Sequence, residues 1–541
     1  MNQEFNLIDE PWIKVMNPDK TISEVGIMEV LTNSHNYACL AGETKSQDFA
    51  ILRLLLAIIH TVFMRYSVDG SDFDPKDDDA YDTIIDNWEE IRKTGKMPCA
   101  PFERYFDKWH DRFWLFDDEY PFYQCNAVKD KSKPISTSKL IGSLFESANK
   151  PRLFADRNSE GRYLSFSEAA RWLLHINNFD DIAAKQPTPK KTWCGQLGLI
   201  AMKGGNLFET IMLNYVADAD IANDVYESCP SWEQEQCAVF NREIAIPKDQ
   251  AALLSLQSRR LYLCRENDYI KGYFLSGGDY FDQTDIPLEQ MTIWRDKSDK
   301  KDAVAVFAPL RHDPAKKAWR EFGSVAAVGD KKKDDAGKGI RVPGIIKWVN
   351  KQKVKTIKVE TASVVYDFGQ ATSLPVIDVI NDSLSFSSDL LSEMNISWQR
   401  AVEEEIAVCE EVAKKVYTLS VNLQKASGAS GDKLSGDNEK LRFYDMIDRP
   451  FRLWLEGLDP SDNFGIVDKK NELNQQLFTI AAKLGGELVG TVGTGSIFGR
   501  IDIDQKTGKK EILSSASAYN YYMASIRKIL NIKAGDTNEQ Q

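Results

Sequence analysis

Apolar residues recur at helical spacing over residues 46–66, and within them Ile51–Phe63 is the most hydrophobic run of the chain. Arg53 and His60 interrupt that run, and a bilayer crossing asks for about 20 consecutive apolar residues, so the pattern predicts a buried helix. Ahead of it, Phe5–Val15 sets β-branched and aromatic residues around Pro11, as in short strands joined by a turn. Residues from about 100 to 370 mix strand-like runs such as Leu261–Cys264 with Gly, Pro and Asn punctuation and with a helix over Phe166–His175. Beyond Pro375 the texture turns helical. Val402, Ile406, Cys409, Ala413 and Val416 share one face, with Glu403, Glu404 and Glu405 directed mostly elsewhere. Three more helices are expected at 438–456, 470–486 and 511–531, separated by Ala426–Gly436 and by the glycine-rich run Gly485–Gly499. Four helices suggest an antiparallel bundle. The fold class is α+β: a large irregular mixed α/β domain over residues 1–375, then a four-helix bundle over 376–541.

At 541 residues the chain exceeds one ordinary core. Its 43% hydrophobic and 28% charged content is that of a globular protein and excludes a disordered tail. The opening Met1-Asn2-Gln3-Glu4 lacks the basic and apolar regions of a signal peptide, which leads us to expect a cytoplasmic protein with no membrane partner. Eight cysteines without a CxxC pair support neither a zinc ribbon nor a disulfide framework.

Net charge changes the picture more. The chain carries −13 overall, which opposes phosphate binding, yet Lys331–Lys358 holds ten Lys or Arg against two Asp. Such a run is either a solvated basic loop or one face that touches nucleic acid. Two further segments combine cations with turn residues. Lys185–Gly198 has three lysines and two glycines, kept from helix by two prolines, and Lys150–Arg162 has four basic side chains around Phe154.

Candidates for catalysis are sparse. The five histidines form no HExxH or clustered His/Asp constellation, and His110-Asp111 and His312-Asp313 are the pairs from which a metal-dependent nuclease could be built. Gly490–Gly499 lacks the GxxxxGK[ST] spacing of a phosphate cradle and reads as a flexible connection. Cys194 has no assignable base and reads as a packed thiol. No catalytic residue, metal or cofactor is expected.

Three stretches, in order, carry a family resemblance: Asn6–Ile13, Met202–Asn214 and Phe368–Ser373. Together they resemble CasA, the large subunit of the type I-E CRISPR surveillance complex Cascade, over nearly the whole chain. The resemblance implies a non-catalytic subunit that reads the short motif beside the target in double-stranded DNA while a guide CRISPR RNA reads the target. It also implies partners: backbone and small Cascade subunits, and a helicase-nuclease recruited after unwinding.

Carried over by position, Gly369, Gln370 and Ala371 would form the wedge that enters the duplex beneath the motif and starts strand separation. Lys191, Gly195 and Gly198 would form the glycine loop facing the minor groove. Arg152, Phe154, Ala155, Asp156 and Arg157 resemble the segment that contacts the guide RNA, with Asp156 where an uncharged polar residue is expected. For the family's minor-groove lysine, the region 270–286 offers Lys271. Two competing readings are a helical protein-interaction adaptor without DNA contact and a metal-dependent nuclease built on His110 or His312.

Overall fold

A computed structural model describes residues 3–77, 79–130, 133–140, 162–179, 192–222, 228–298, 304–325, 332–333, 339–352, 354–366, 376–431, 434–462, 465–503 and 510–533. The chain divides into two compact units. The first comprises Met1–Pro314, Gly329–Val354 and Lys358–Ser383; the second comprises Ala315–Val328, Lys355–Ile357 and Leu384–Gln541. A single cut at residue 375 therefore misses two short segments that the second unit takes from earlier in the chain.

The first unit is built on the helix Lys45–Phe63, which is long and apolar enough to cross a membrane and is buried inside the protein. Its N-terminus is capped by Thr44, whose hydroxyl accepts from the Gln47 amide at 3.2 Å. Arg53 enters this apolar interior with a partner. Its guanidinium donates to both Glu289 carboxylate oxygens at 3.1 and 2.9 Å, and both side chains are about 1% exposed. A lone buried charge would cost several kcal/mol, a penalty that two parallel hydrogen bonds offset.

Around this helix lie small antiparallel sheets, each short enough to need the others for cover. Ile22–Val25, Ile13–Met16 and Cys39–Leu40 form one, and Ile135–Ser136, Tyr269–Gly277 and Arg259–Glu266 another. Arg171, on the helix Phe166–Phe179, is fully buried and ties that helix to the first sheet. It donates to the Trp12 carbonyl at 2.6 Å, to Glu24 at 2.8 Å and to Glu43 at 2.7 Å. Burial works against the Glu43 charge, but Arg171 and Lys14 hold its carboxyl down at about 2.

The second unit contains four long helices, Ile396–Ala426, Asp437–Glu456, Ile466–Gly490 and Ser515–Ile529, the first touching each of the other three. The fold is thus mixed α/β with a C-terminal helical region, as expected. Details differ from the sequence pattern. Glu405 is buried while Ile406 is only partly so, so the inward stripe runs through Trp398, Val402, Glu405, Cys409, Val412 and Val416. The expected helix at 511–531 starts later, because Lys510–Leu513 is a strand paired with Arg500–Ile503.

The glycine-rich connection also divides differently. Gly485, Gly486 and Gly490 continue the helix Ile466–Gly490, and a Cβ on Gly485 would stand 2.5 Å from the Tyr522 ring. That glycine serves close helix packing more than freedom of the chain. The Ala426–Gly436 link behaves as a turn, with Gly428 and Gly431 at φ of +98° and +80°.

Candidate nucleic-acid interface

Strand Leu199–Met202 pairs antiparallel with Thr356–Tyr366, Leu199 opposite Ala362 and Met202 opposite Val359. On its other side Thr356–Tyr366 neighbours Val376–Ser387. This register decides the geometry. Segment 192–198 enters the sheet at Leu199, and at that same end Thr356–Tyr366 stops and Val376–Ser387 starts. Ser363 marks the junction, its hydroxyl donating to the Leu197 carbonyl at 3.3 Å. The expected glycine loop and the two strand ends that flank the expected wedge are therefore side by side on one sheet, although about 160 residues separate them in the chain. Gly369, Gln370 and Ala371, at 367–375, lie outside the described residues, as do Lys191 and the whole of Arg152, Phe154, Ala155, Asp156 and Arg157.

The root of the glycine loop is held firmly. The Trp193 indole donates to Glu289 at 2.9 Å, sharing the carboxylate that receives Arg53, and its ring packs on Phe281 with centroids 4.9 Å apart. Cys194 is buried and donates to the Asn178 side-chain oxygen at 3.2 Å; burial pushes its thiol up to about 12, which suits a packed group and not a nucleophile.

Gly195 and Gly198 are both buried. A Cβ on Gly198 would stand 2.4 Å from the Leu310 carbonyl oxygen and 3.0 Å from the His312 amide, and the Gly198 amide donates to Leu310 at 3.1 Å. The close approach this glycine permits is thus to the chain's own backbone at 310–312. Sequence reading assigned it to a nucleic acid because a glycine signals a close neighbour without saying which neighbour.

The segment containing Phe154 has its flanks on one strand. Ser136 pairs with Gly272 and Ile135 with Tyr273, while Leu164 and Ile270 exchange backbone hydrogen bonds at 3.0 and 2.8 Å. Lys271, between these contacts, is half exposed and pairs with Glu266 at 2.8 Å. The half-exposed rings of Tyr163 and Tyr269 meet beside it, edge to face at 6.4 Å. Sequence reading did not single out these tyrosines; the signal was available in Tyr163 directly after Arg162, an aromatic next to a cation at the end of a basic segment.

Lys331, Lys338 and Lys353 of the basic run 331–358 lie outside the described residues, and two of its described cations are already engaged. Arg341 lies over the Phe307 ring at 4.2 Å and 3.4 Å from Asp285, and Lys351 reaches Asp218 at 2.5 Å. Lys203, within the central resemblance stretch, pairs with Glu360 at 2.8 Å, and Asn206 caps the helix Leu207–Asn214 by accepting from the Glu209 amide at 2.8 Å. That stretch and the opening one, where the Trp12 indole donates to the Leu7 carbonyl at 2.8 Å, are thereby architectural.

The histidines of the nuclease reading stand in separate settings. His110 meets Asp9 at 2.7 Å and Asn6 at 3.3 Å, while the His312 Nε2–H donates to the Leu199 carbonyl at 3.0 Å. His60 and His175 are buried, and desolvation pushes them down to about 3 and about 4, so both are neutral at physiological pH. No group of three or more His, Cys, Asp or Glu able to hold a metal is found among the described residues.

Residues 6–484 match the family described as CRISPR-associated protein Cse1. A curated relative, the CRISPR-associated protein CasA/Cse1 of Thermus thermophilus, is 27% identical over 332 residues, which span 60% of each chain. The crystal structure of Thermobifida fusca Cse1 superposes with a TM-score of 0.79 at 26% identity, covering 98% of both chains. A chain of a solved CRISPR RNA-guided surveillance complex shares the fold, with a TM-score of 0.64 at 15% identity over 97% of this chain and 99% of that one.

Proposed function

Because the chain belongs to the CRISPR-associated Cse1 (CasA) family, we propose that it acts as the large, non-catalytic subunit of a type I-E surveillance complex and reads the motif flanking the target in double-stranded DNA. The observation that carries this reading is the shared sheet end, which brings the root of the glycine loop beside the two strand ends that flank the wedge. One element contacting the minor groove and another entering the base stack must act on the same few base pairs, and a common sheet holds their bases in fixed relation. Gln370 is the wedge, flanked by Gly369 and Ala371. Unstacking a base step costs a few kcal/mol, which the guide heteroduplex formed afterwards offsets. Guide RNA contact falls to the Arg152–Arg157 segment, with Lys271 at its root, and a helicase-nuclease is recruited once strands separate. The protein is assigned to the cytoplasm.

The test is reconstitution with guide and backbone subunits, measuring R-loop formation on targets with randomised flanking motifs. Wild-type chain should give a motif-dependent signal, and Gln370→Ala should slow R-loop formation by roughly tenfold or more, the scale of one lost specific contact. Equal R-loop formation without the chain, or indifference to flanking sequence, would overturn the reading.

A second reading, an adaptor that touches only protein, draws on one feature of the second unit. Phe498, Ile501 and Ile512 are 86%, 69% and 68% exposed, and Ile501 and Ile512 are direct cross-strand neighbours. Exposed apolar clusters of this kind mark protein contacts. Salt separates the two readings, since assembly through this patch persists at high ionic strength while phosphate contacts weaken steeply.

A further inference from the structure

Cys125 and Cys237 lie 112 residues apart in sequence and line the same cavity, about 170 Å³ in volume, whose wall also includes Arg112, Tyr120, Arg242 and Asp279. The Cys125 thiol donates to the Cys237 carbonyl at 3.4 Å. One residue earlier on each segment, the Gln236 side-chain amide donates to the Gln124 carbonyl at 3.1 Å, so 124–125 runs alongside 236–237. Both cysteines are held from behind: the Cys125 amide donates to Leu261 at 2.7 Å, and Arg260 Nε donates to the Cys237 carbonyl at 3.1 Å. Both thiols are free; Cys125 is buried and Cys237 reaches solvent in part.

The carbonyl oxygen that the Cys125 sulfur contacts is two bonds from the Cys237 Cα. The two cysteines therefore stand on adjoining segments, and a disulfide between them asks for side-chain rotation that brings the sulfurs together. We propose that Cys125 and Cys237 form a thiol–disulfide exchange site that takes a low-molecular-weight disulfide such as glutathione disulfide as its oxidant.

Cys237, the more accessible, attacks first. Its thiolate bonds to one sulfur of the reagent, the reagent's S–S bond breaks, and one small thiolate leaves. The Cys125 thiolate then attacks the Cys237 sulfur, forming the Cys125–Cys237 bond and expelling the second small thiolate. The two protons given up by the cysteines end on the two released thiols, so the protein loses two hydrogens and the reagent is reduced to two thiols. The bond ties the segment around Cys237 to the segment around Cys125.

To test this, the folded full-length chain is incubated with glutathione disulfide, quenched with an alkylating reagent, digested and mapped without reduction. The expected result is a Cys125–Cys237 peptide pair, two fewer alkylated thiols, reversal by a dithiol, and a raised melting temperature for the linked protein. Cys99 and Cys229, both exposed, are internal controls that take up glutathione singly. Cys237→Ser and Cys125→Ser should each remove the linked pair. The first, at a partly exposed position, should leave the melting temperature of the reduced protein unchanged, which separates loss of the link from loss of the fold. The proposal is overturned if Cys99 and Cys229 are modified while Cys237 stays alkylatable, if Cys237 halts at the mixed disulfide, or if it links to Cys229 instead.

Discussion

Within the helix Ile396–Ala426, Glu405 occupies a core position one turn before Cys409, and its nearest cation is Lys470 at 3.3 Å. Desolvation raises its pKa above the usual carboxylate range, with Lys470 opposing only in part. The folded chain therefore holds this proton to higher pH than the unfolded chain does. Its contribution to stability is present at low pH and is lost as pH rises through the raised value. Glu405→Gln should stabilise the protein by roughly 1–2 kcal/mol at pH 8 and have little effect near pH 4. Urea unfolding at the two pH values checks this, and Lys470 keeps Glu404 as a partner at 2.7 Å in the variant. The three consecutive glutamates concealed this residue from sequence reading, because a helical pattern counts Glu as outward and Ile406 as inward. Arg53 was legible as an interruption of an apolar run, but its partner was not: Glu289 is 236 residues away, and nothing local marks either residue as half of a pair.

At the scale of elements, the long periodic runs were the most legible. The core helix and the first three helices of the bundle stand where apolar spacing puts them, because that spacing is what buries them. Short strands were the least legible. Leu199–Met202 is four residues long and buried throughout, so it shows no alternation and gains its identity only from distant partners. The helix Asp437–Glu456 carries Pro450 in its interior, where the ring removes one backbone hydrogen bond. Within the same unit Phe451 stacks on Trp319 at 4.2 Å. Pro450→Ala restores that bond and should raise stability by roughly 1–3 kcal/mol. A loss of stability in chemical denaturation would instead mean that the irregularity at Pro450 is what seats Phe451 on Trp319.

For the whole molecule, each unit has its own interior, one around Lys45–Phe63 and one around the stripe that includes Val402, Cys409 and Val416. Calorimetry of the full chain should resolve two unfolding transitions, and Glu405→Gln should move one of them and leave the other in place. A single transition moving as a whole would show that the units unfold together. The family resemblance was legible over nearly the full length, yet the two described stretches that carried it proved largely architectural: Trp12 and Asn206 brace a turn and a helix end.

The sheet that unites the two recognition segments also sets a schedule for synthesis. Leu199–Met202 leaves the ribosome about 160 residues before its partner Thr356–Tyr366, a delay of roughly ten to thirty seconds at ordinary elongation rates. Until then only its other edge is occupied, by the Ile200 amide bond to Met291 and the Leu199 bridge to Thr292, whereas each bundle helix meets a neighbour soon after it emerges. The recognition surface is therefore the last part of its unit to be completed. Slowing or pausing translation between codons 203 and 356 should lower the yield of native protein more than an equal pause inside the bundle.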